Sequence, residues 1–214
     1  NFPLFFILIE NMKVTTESGF DLSIPRSFGH YIINKNLISG STCSMALATD
    51  TNTNDLVAVK IMSKKDMESR KLIQSIEKEV SVLKGLDSPF IVKVYDSFNI
   101  FNDKNEEFIV IIMDYCEKGD LLTYATENKF KSVLEIKKTV IDFLKGVKFL
   151  HERNISHGDI KADNILLTND LSCKLCDFGY CRTSIIAGEE SKNGTLYYAA
   201  PELFVKGEFD TLKS

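Results

Sequence analysis

Several features that define other classes of protein are absent from this sequence of 214 residues. It has no tryptophan, only four prolines and no excess of basic charge, with 26 Lys and Arg against 30 Asp and Glu. The net charge of −4 excludes binding of nucleic acid or anionic membrane through bulk positive charge. Its five cysteines lack a framework spacing, which disfavours a secreted, disulfide-bonded protein. We therefore expect a globular cytoplasmic protein without nucleic-acid or membrane partners.

The apolar run at the N-terminus is too short to span a bilayer. Residues 2–9 read Phe-Pro-Leu-Phe-Phe-Ile-Leu-Ile, whereas a spanning helix needs about 20 residues. No basic segment precedes this run and no small-residue cleavage site follows it closely, as a signal peptide would require. We interpret residues 1–26 as an N-terminal extension, disordered or wrongly included at the start of the coding sequence, with an edge strand as the alternative. The chain begins without methionine, so we expect it to be incomplete.

Hydrophobic periodicity predicts a sheet-rich first half with one helix. Residues 56–62, 90–98 and 108–115 read as strands, and the polar stretch 49–55 reads as a hairpin turn. Apolar residues at helical spacing predict a single helix over about 66–86.

The pattern changes near residues 116–119, the one candidate boundary between lobes. A short helix is predicted over 121–125, and Ser132-x-x-Glu135 is a capping box that opens a long helix. The predicted apolar stripe of that helix comprises Val140, Phe143, Leu144, Val147 and Leu150. Two short strands, over 164–167 and 173–176, follow it.

Two charged residues stand at positions where apolar residues predominate. Lys60 lies in the middle of an apolar strand with Ala58 on the same face, and Glu79 lies within the helix stripe, whereas Glu77 does not. A buried charge needs a partner, so a Lys60–Glu79 pair is one interpretation. A lysine reaching water from a strand edge and a glutamate at the margin of the stripe are the alternatives.

A concentrated polar motif follows the long helix. His-Gly-Asp-Ile-Lys-Ala-Asp-Asn, residues 157–164, brings Asp159, Lys161, Asp163 and Asn164 into eight positions, and Asp177 opens Asp-Phe-Gly thirteen residues later. Asp and Asn oxygens suit Mg²⁺, a second Asp can orient or deprotonate a hydroxyl, and a lysine can neutralise a phosphoryl group. These are the components of phosphoryl transfer.

The ordered set resembles the eukaryotic protein kinases. It comprises Lys60 in Val-Ala-Val-Lys, Glu79, the 157–164 motif, Asp-Phe-Gly and Gly-Thr-Leu-Tyr-Tyr-Ala-Ala-Pro-Glu at 194–202, and it covers the chain from about residue 31. Lys161 and the last motif look like the Ser/Thr branch. The resemblance implies an α+β bilobal fold, with an antiparallel sheet and one helix in the N-lobe (27–115) and a partial helical C-lobe (116–214), and with ATP in the cleft between them.

The resemblance also implies a role for each matching residue. Asp159 would accept the proton of a protein Ser or Thr hydroxyl, Lys161 would contact the γ-phosphate, and Thr195 would bridge them. Asn164 and Asp177 would bind Mg²⁺. The ATP-binding residues would be Lys60, Glu79, Gly40, Met45, Ala58, Met113, Asp114, Cys116, Asp120, Leu166 and Cys176.

Within that set, Lys60 would hold the α- and β-phosphates, and Met113 would be the gatekeeper. Asp114 and Cys116 would face adenine through their main chains, and Asp120 would touch the ribose. Asp163 and Asp120 also stand where some kinases read basic residues near the phosphorylated site, which implies substrates with nearby Lys or Arg.

The chain departs from the family pattern in two places. The glycine-rich loop keeps only Gly40 of its usual three glycines, with Ile38 and Cys43 at the other two positions, so we expect reduced nucleotide binding. Gly158 replaces an arginine that in many kinases pairs with a phosphorylated activation segment, so we expect activity to be independent of that phosphorylation.

Alternatives to an active kinase remain open at the level of sequence. One is a pseudokinase or nucleotide-binding scaffold, and the other is an inactive truncated fragment. The family continues after Ala-Pro-Glu with an Asp-x-Trp segment, so we expect a truncation here, which would also explain the missing tryptophan. Cys173 and Cys176, three apart in a strand, would point to opposite faces, so we interpret them as core or pocket-lining residues and not as a metal pair.

Overall fold

The computed structural model describes residues 27–39, 43–102, 104–182 and 195–198. The chain divides into two compact units. The sheet unit takes in residues 27–84 and 93–115, and the helical unit takes in residues 85–92, 116–182 and 195–198. One unit boundary lies between Tyr115 and Cys116. Segment 85–92 belongs to the helical unit because Leu175 donates to Phe90 O at 2.8 Å and Val92 donates to Leu175 O at 2.9 Å.

The sheet unit contains six antiparallel strands in the order β1-β2-β3-β4-β6-β5. Their bounds are β1 Ser27–Phe28, β2 Tyr31–Ser39, β3 Cys43–Asp50, β4 Leu56–Ser63, β5 Val94–Phe101 and β6 Glu107–Asp114. The predicted turn at 49–55 is confirmed. The predicted strand 90–98 is displaced, since residues 90–92 bond to the helical unit and β5 starts only at Val94.

Side chains on alternate positions of this sheet form an apolar core on one face. Its buried members are Phe28, Tyr31, Ala46, Ala48, Val57, Val59, Ile61, Phe108, Val110 and Ile112. Residues one position away along the strands necessarily point to the other face. The sheet therefore separates its own core from a second face that is also buried, to which Lys60 belongs.

The predicted single helix over 66–86 is wrong, because two helices occupy that stretch. They are α1, Lys64–Ser69, and α2, Ile73–Lys84. Lys71 has φ 57°, and it donates to Glu68 O while Leu72 donates to Met67 O, each at 2.9 Å. These paired bonds are a Schellman ending, and a lysine occupies the position where glycine is usual.

The helical unit contains two helices and a three-stranded antiparallel sheet, ordered β7-β8-β9. Their bounds are β7 Gly119–Asp120, α3 Leu121–Thr126, α4 Val133–His151, β8 Ile165–Leu167 and β9 Cys173–Leu175. A 3₁₀ turn, Ala162–Asn164, precedes β8. No helix in the described ranges combines the length and apolar character needed to cross a membrane.

The predicted start of α4 is confirmed, with one difference in its capping. Ser132 is the N-cap and its Oγ accepts the N–H of Glu135 at 3.3 Å. The Glu135 carboxylate accepts the N–H of Lys131 at 2.7 Å, one residue before the N-cap. The sequence pattern thus predicts the start of the helix correctly. The Glu135 side chain, however, accepts from Lys131 and not from the N-cap residue Ser132, as a capping box would have it.

The predicted apolar stripe of α4 is only partly buried. Val140 and Leu144 are exposed, and of the five predicted residues only Leu150 is buried. The buried positions are Thr139, Asp142, Gly146 and Leu150. A Cβ on Gly146 would lie 3.2 Å from both Leu175 Cδ1 and Phe90 O, so glycine at this position permits the close approach of these residues to α4.

Candidate active site

The motif at 157–164 forms a polar cluster around the carboxylate of Asp159, which is 5% exposed. The Asp159 Oδ2 atom lies 2.9 Å from Lys161 Nζ and accepts a hydrogen bond from Asn164 Nδ2 at 3.0 Å. Its Oδ1 atom accepts the main-chain N–H and the hydroxyl of Thr195 at 3.0 and 2.9 Å. The structure therefore brings the four predicted catalytic residues together.

The same contacts set the charges of the cluster. Burial by itself raises the pKa of Asp159, but hydrogen bonds from Lys161 and Thr195 outweigh it and hold that pKa below its usual value. Burial by itself lowers the pKa of Lys161, but the hydrogen bond to Asp159 outweighs burial, so the pKa of Lys161 lies above its usual value. Both groups are thus charged at neutral pH. Lys161 also donates to Thr195 Oγ1 at 2.9 Å, so Thr195 contacts both charged groups.

Asn164 connects the carboxylate to its own main chain. It is fully buried at the end of the 3₁₀ turn, and its Nδ2 donates to Asp159 O at 2.8 Å as well as to the carboxylate. Its Oδ1 atom is buried and has no hydrogen-bond partner. A buried amide oxygen without a partner is costly, and it is an atom that a divalent cation can use.

Asp177 is attached to this cluster through the residue before it. Cys176 donates its N–H to Asn164 O at 3.0 Å, and its carbonyl accepts from His157 Nε2 at 2.9 Å. Asp177 itself is half-buried with φ 64°, and its Oδ1 faces the N–H of Gly179 at 3.4 Å. The second predicted Mg²⁺ ligand is therefore tied by main-chain bonds to the first.

His157 is a structural member of the cluster that the sequence analysis did not select. Its Nδ1 accepts the N–H of Asp159 at 3.3 Å, so Nε2 carries the proton and donates to Cys176. Burial lowers the pKa of His157, which keeps the ring neutral. Its ring also packs on Phe178, with centroids 4.8 Å apart. A histidine two residues before Asp159 is the signal that could have identified this role.

The sheet unit holds a second group of predicted residues on the face opposite its apolar core. Met45 pairs with Lys60 across β3 and β4, and Ala58 pairs with Met113 across β4 and β6. All four are buried, with Lys60 only 9% exposed. Alternation along β4 puts Ala58 and Lys60 on one face, as predicted.

Glu79 lies on α2 in the orientation that its spacing indicates. It is half-buried, whereas Glu77 is exposed. The pairing of Lys60 with Glu79 stays a prediction, as do the ATP contacts of both residues. Gly40 lies outside the described residues.

The remaining predicted ATP-binding residues occupy defined main-chain positions. Asp114 ends β6, and its N–H donates to Lys93 O at 3.0 Å. Cys116 accepts the N–H of Gly119 at 3.2 Å, and Leu166 in β8 is fully buried opposite Asp120 in β7. Their contacts with ATP stay predictions.

Asp120 has a structural role that the sequence analysis missed. It is fully buried, and its Oδ1 accepts the N–H of Thr123 at 2.8 Å as the N-cap of α3. Its Oδ2 has no hydrogen-bond partner. An Asp just before a predicted helix is an N-cap signal, and it could have been read as one.

The two cysteines interpreted as core or pocket-lining residues are both buried. Cys173 and Cys176 are 0% and 5% exposed, and burial raises the pKa of Cys173 to about 12. All five cysteines of the chain are free thiols. Among the described residues, no group of three or more His, Cys, Asp or Glu side chains is placed to hold a metal ion.

Comparison with known proteins adds independent information. The protein kinase domain model matches residues 31–212. Serine/threonine-protein kinase cds1 of Schizosaccharomyces pombe is 31% identical over 180 residues, which cover 81% of this chain and 38% of that protein. Serine/threonine-protein kinase SIK1 of Rattus norvegicus is 30% identical over 206 residues, covering 95% of this chain and 26% of that protein. The chain thus spans well under half the length of these relatives.

Proposed function

The chain belongs to the protein kinase family, and we propose that the protein transfers the γ-phosphoryl group of ATP to Ser or Thr hydroxyls of other proteins. In this reaction the hydroxyl oxygen bonds to the γ-phosphorus, the bond from that phosphorus to the β–γ bridging oxygen breaks, and ADP leaves. The hydroxyl proton passes to Asp159. The observation that carries the proposal is the geometry around Asp159, whose two oxygens are held by Lys161, Asn164 and Thr195.

The lowered pKa of Asp159 suits this role and limits it. A carboxylate held ionised by Lys161 and Thr195 is a weak base, so it orients the hydroxyl and receives its proton late. Phosphoryl transfer through a loose transition state needs positioning and charge neutralisation more than a strong base. Lys161, charged and 2.9 Å from Asp159, would neutralise the transferring group.

The residues present fit a magnesium ion. Asn164 Oδ1 is an unpartnered buried acceptor, and the half-buried Asp177 offers a carboxylate, so the pair supplies hard oxygen ligands. When bound, the ion would neutralise charge on the ATP phosphates. In the sheet unit, Lys60 would hold the α- and β-phosphates with Glu79 as its proposed ion-pair partner, and Met45 and Ala58 would contact the base.

Substrate selection by charge is assigned to Asp163 alone. Asp163 is half-buried, whereas Asp120 is fully buried and caps α3. We propose that Asp163 favours Lys or Arg near the phosphorylated residue, because an acidic side chain attracts a cation in the bound peptide. A peptide-array screen without basic selection, or one whose selection survives Asp163→Asn, would refute this assignment.

The five free thiols support a cytoplasmic location, since disulfides form in oxidising compartments.

The central experiment is transfer of radiolabelled phosphate from ATP to a Ser- and Thr-containing protein, compared with Asp159→Asn. We expect a loss of about 10²- to 10⁴-fold in rate in the variant, the range typical of a general acid or base. The variant should keep its Mg-ATP thermal shift, since Asp159 is not assigned to nucleotide binding. A thermal shift without transfer in either protein would favour the nucleotide-binding scaffold, and neither response would favour an inactive fragment.

A further inference from the structure

Gly158, between His157 and Asp159, has a conformation and a neighbour that exclude a side chain. Its φ is +80°, in the region that favours glycine. A Cβ there would lie 2.4 Å from Tyr180 O and 3.1 Å from Tyr180 C. Carbon–oxygen contacts of about 3.3 Å are already close. Because both neighbouring atoms belong to the main chain, no side-chain rotation can relieve the contact.

Hydrogen bonds on both sides of this contact hold it in place. Ser156 and Arg182 exchange two main-chain bonds of 2.9 Å in an isolated antiparallel bridge. Cys181 donates to Phe178 O at 3.0 Å, which closes a turn around Tyr180. Upstream of that turn, Cys176 bonds to Asn164 and His157. The segment 177–182 is thus fastened to the 156–164 loop at both its ends.

We propose that Gly158 is a positioning residue that sets the spacing between the loop carrying Asp159 and the segment carrying Asp177. Any side chain at position 158 must push the Tyr180 carbonyl away, and the displacement would pass through the turn to Asp177. The inference rests on the proposed function for its kinetic consequence. Its structural part, the closure of segment 177–182 on the loop, stands independently of catalysis.

This closure gives a physical reason for the absence of the arginine that many kinases carry at this position. An arginine would bring a Cβ to 2.4 Å from a carbonyl oxygen, so it could not be introduced without opening the segment. The start of the segment is held here by main-chain contacts, which need no phosphate. Gly158→Arg should therefore impair the protein and not restore a family feature.

Three variants separate the contact from the backbone conformation. Gly158→Ala adds only the Cβ, and Gly158→Asn adds a residue that tolerates positive φ better than alanine does. Gly29→Ala is the matched control, because Gly29 has φ +58° and no atom within 4 Å of an added Cβ. Gly29→Ala therefore has the energetic cost of a positive φ but adds no steric contact.

The first measurement is hydrogen exchange at the Ser156 and Arg182 amides. We expect exchange about tenfold faster or more in both Gly158 variants and unchanged in Gly29→Ala, because only the former open the bridge. The second measurement is the rate per folded molecule, for which we expect kcat to fall about 100-fold, as small misplacements of reacting groups can cause. The KM for ATP should change little.

The outcomes distinguish the inference about Gly158 from the proposed function. Wild-type exchange and kcat in Gly158→Ala would overturn the inference, and so would a Gly158→Asn variant that behaves like wild type, since the cause would then be backbone conformation alone. A fall in activity matched by an equal loss of folded protein would reduce Gly158 to a structural residue. If the wild-type protein transfers no phosphate, the proposed function fails, while the exchange data still decide whether Gly158 controls the closure.

Discussion

The interiors of the two units are stabilised in different ways. The core of the sheet unit consists of alternating apolar side chains that are at most 6% exposed. Of the ten buried polar or charged residues in the described part of the chain, seven belong to the helical unit and three to the sheet unit. The helical unit therefore depends more on hydrogen-bond geometry, which is directional, and the sheet unit depends more on burial, which is not.

This difference predicts how each unit responds to substitution. Loss of apolar volume costs stability in proportion to the cavity, and function follows only through the amount of folded protein. Loss of one partner in a polar cluster leaves other groups unsatisfied and moves the reacting atoms, so activity should fall further than stability. Substitutions in the apolar core should thus lower stability more than the rate per folded molecule. Substitutions in the polar cluster should lower that rate more than stability.

The largest effect is expected from Asn164→Ala in the polar cluster. The change removes two hydrogen bonds to Asp159 and the proposed metal-binding oxygen. We expect a loss of about 10³-fold in transfer rate, with a loss of stability of about 1–3 kcal/mol from unsatisfied polar atoms. Steady-state kinetics and urea unfolding measure the two quantities. Asn169→Ala, at an exposed position, is the control, and equal activity in the two variants would contradict the cluster model.

The contrast between the units also explains which features could be predicted from sequence. The strands around Lys60 and the turn at 49–55 follow from alternation and turn residues, which are local properties. Asp159, Lys161 and Asn164 lie within six positions of one another, so proximity in sequence brings them into one cluster. Thr195, 34 residues beyond Lys161, could be assigned only through the family resemblance.

The predictions that proved wrong concern features that depend on packing. The break between α1 and α2 has a lysine at the residue with positive φ, so no glycine marked it. The buried residues of α4 are Thr139, Asp142, Gly146 and Leu150, and Gly146 lies where β9 approaches too closely for a side chain. Hydrophobicity alone therefore indicated Leu150 and not the other three members of this buried set. The contact between Gly158 and Tyr180 likewise requires coordinates, since nothing local indicates it.

The next largest effect is expected from Ile112→Ala in the apolar core of the sheet unit. Ile112 is fully buried in β6, and truncation should cost about 2–5 kcal/mol. The rate per folded molecule should stay near that of the wild type, in contrast to Asn164→Ala. Ile32→Ala, at a position 46% exposed in the same sheet, should cost less than about 1 kcal/mol. A loss of specific activity in Ile112→Ala that exceeds its loss of folded protein would undermine the comparison.

A smaller, pH-dependent effect is expected at the β8–β9 turn of the helical unit. Hydrogen bonds from Thr168 and Ser172, with a smaller part from Lys138, hold the pKa of Asp170 well below its usual value. The resulting stabilisation is present above the unfolded pKa of about 3.9 and is lost as the pH falls through the folded pKa. Because the side chain is 69% exposed, we expect no more than about 1 kcal/mol.

Denaturant unfolding between about pH 2 and 7 tests this effect. Asp170→Asn should lower stability at neutral pH and flatten the acid limb of the stability profile. Thr168→Val, which removes one of the donors to Asp170, should flatten it in part. Parallel profiles for the wild type and Asp170→Asn would show that the turn contributes no pH-dependent stability.

The smallest effect, and the only stabilising one, is expected in the sheet unit at Lys71. This residue follows the C-cap of α1 and has φ 57°, a conformation that is unfavourable for a residue with a Cβ and free of that penalty for glycine. Lys71→Gly should therefore raise stability by about 0.5 kcal/mol. Lys78→Gly, at an exposed position inside α2, should instead lower it by about 1 kcal/mol. Thermal unfolding of the two variants should move in opposite directions, and a destabilised Lys71→Gly would mean that the lysine side chain contributes more than its backbone conformation costs.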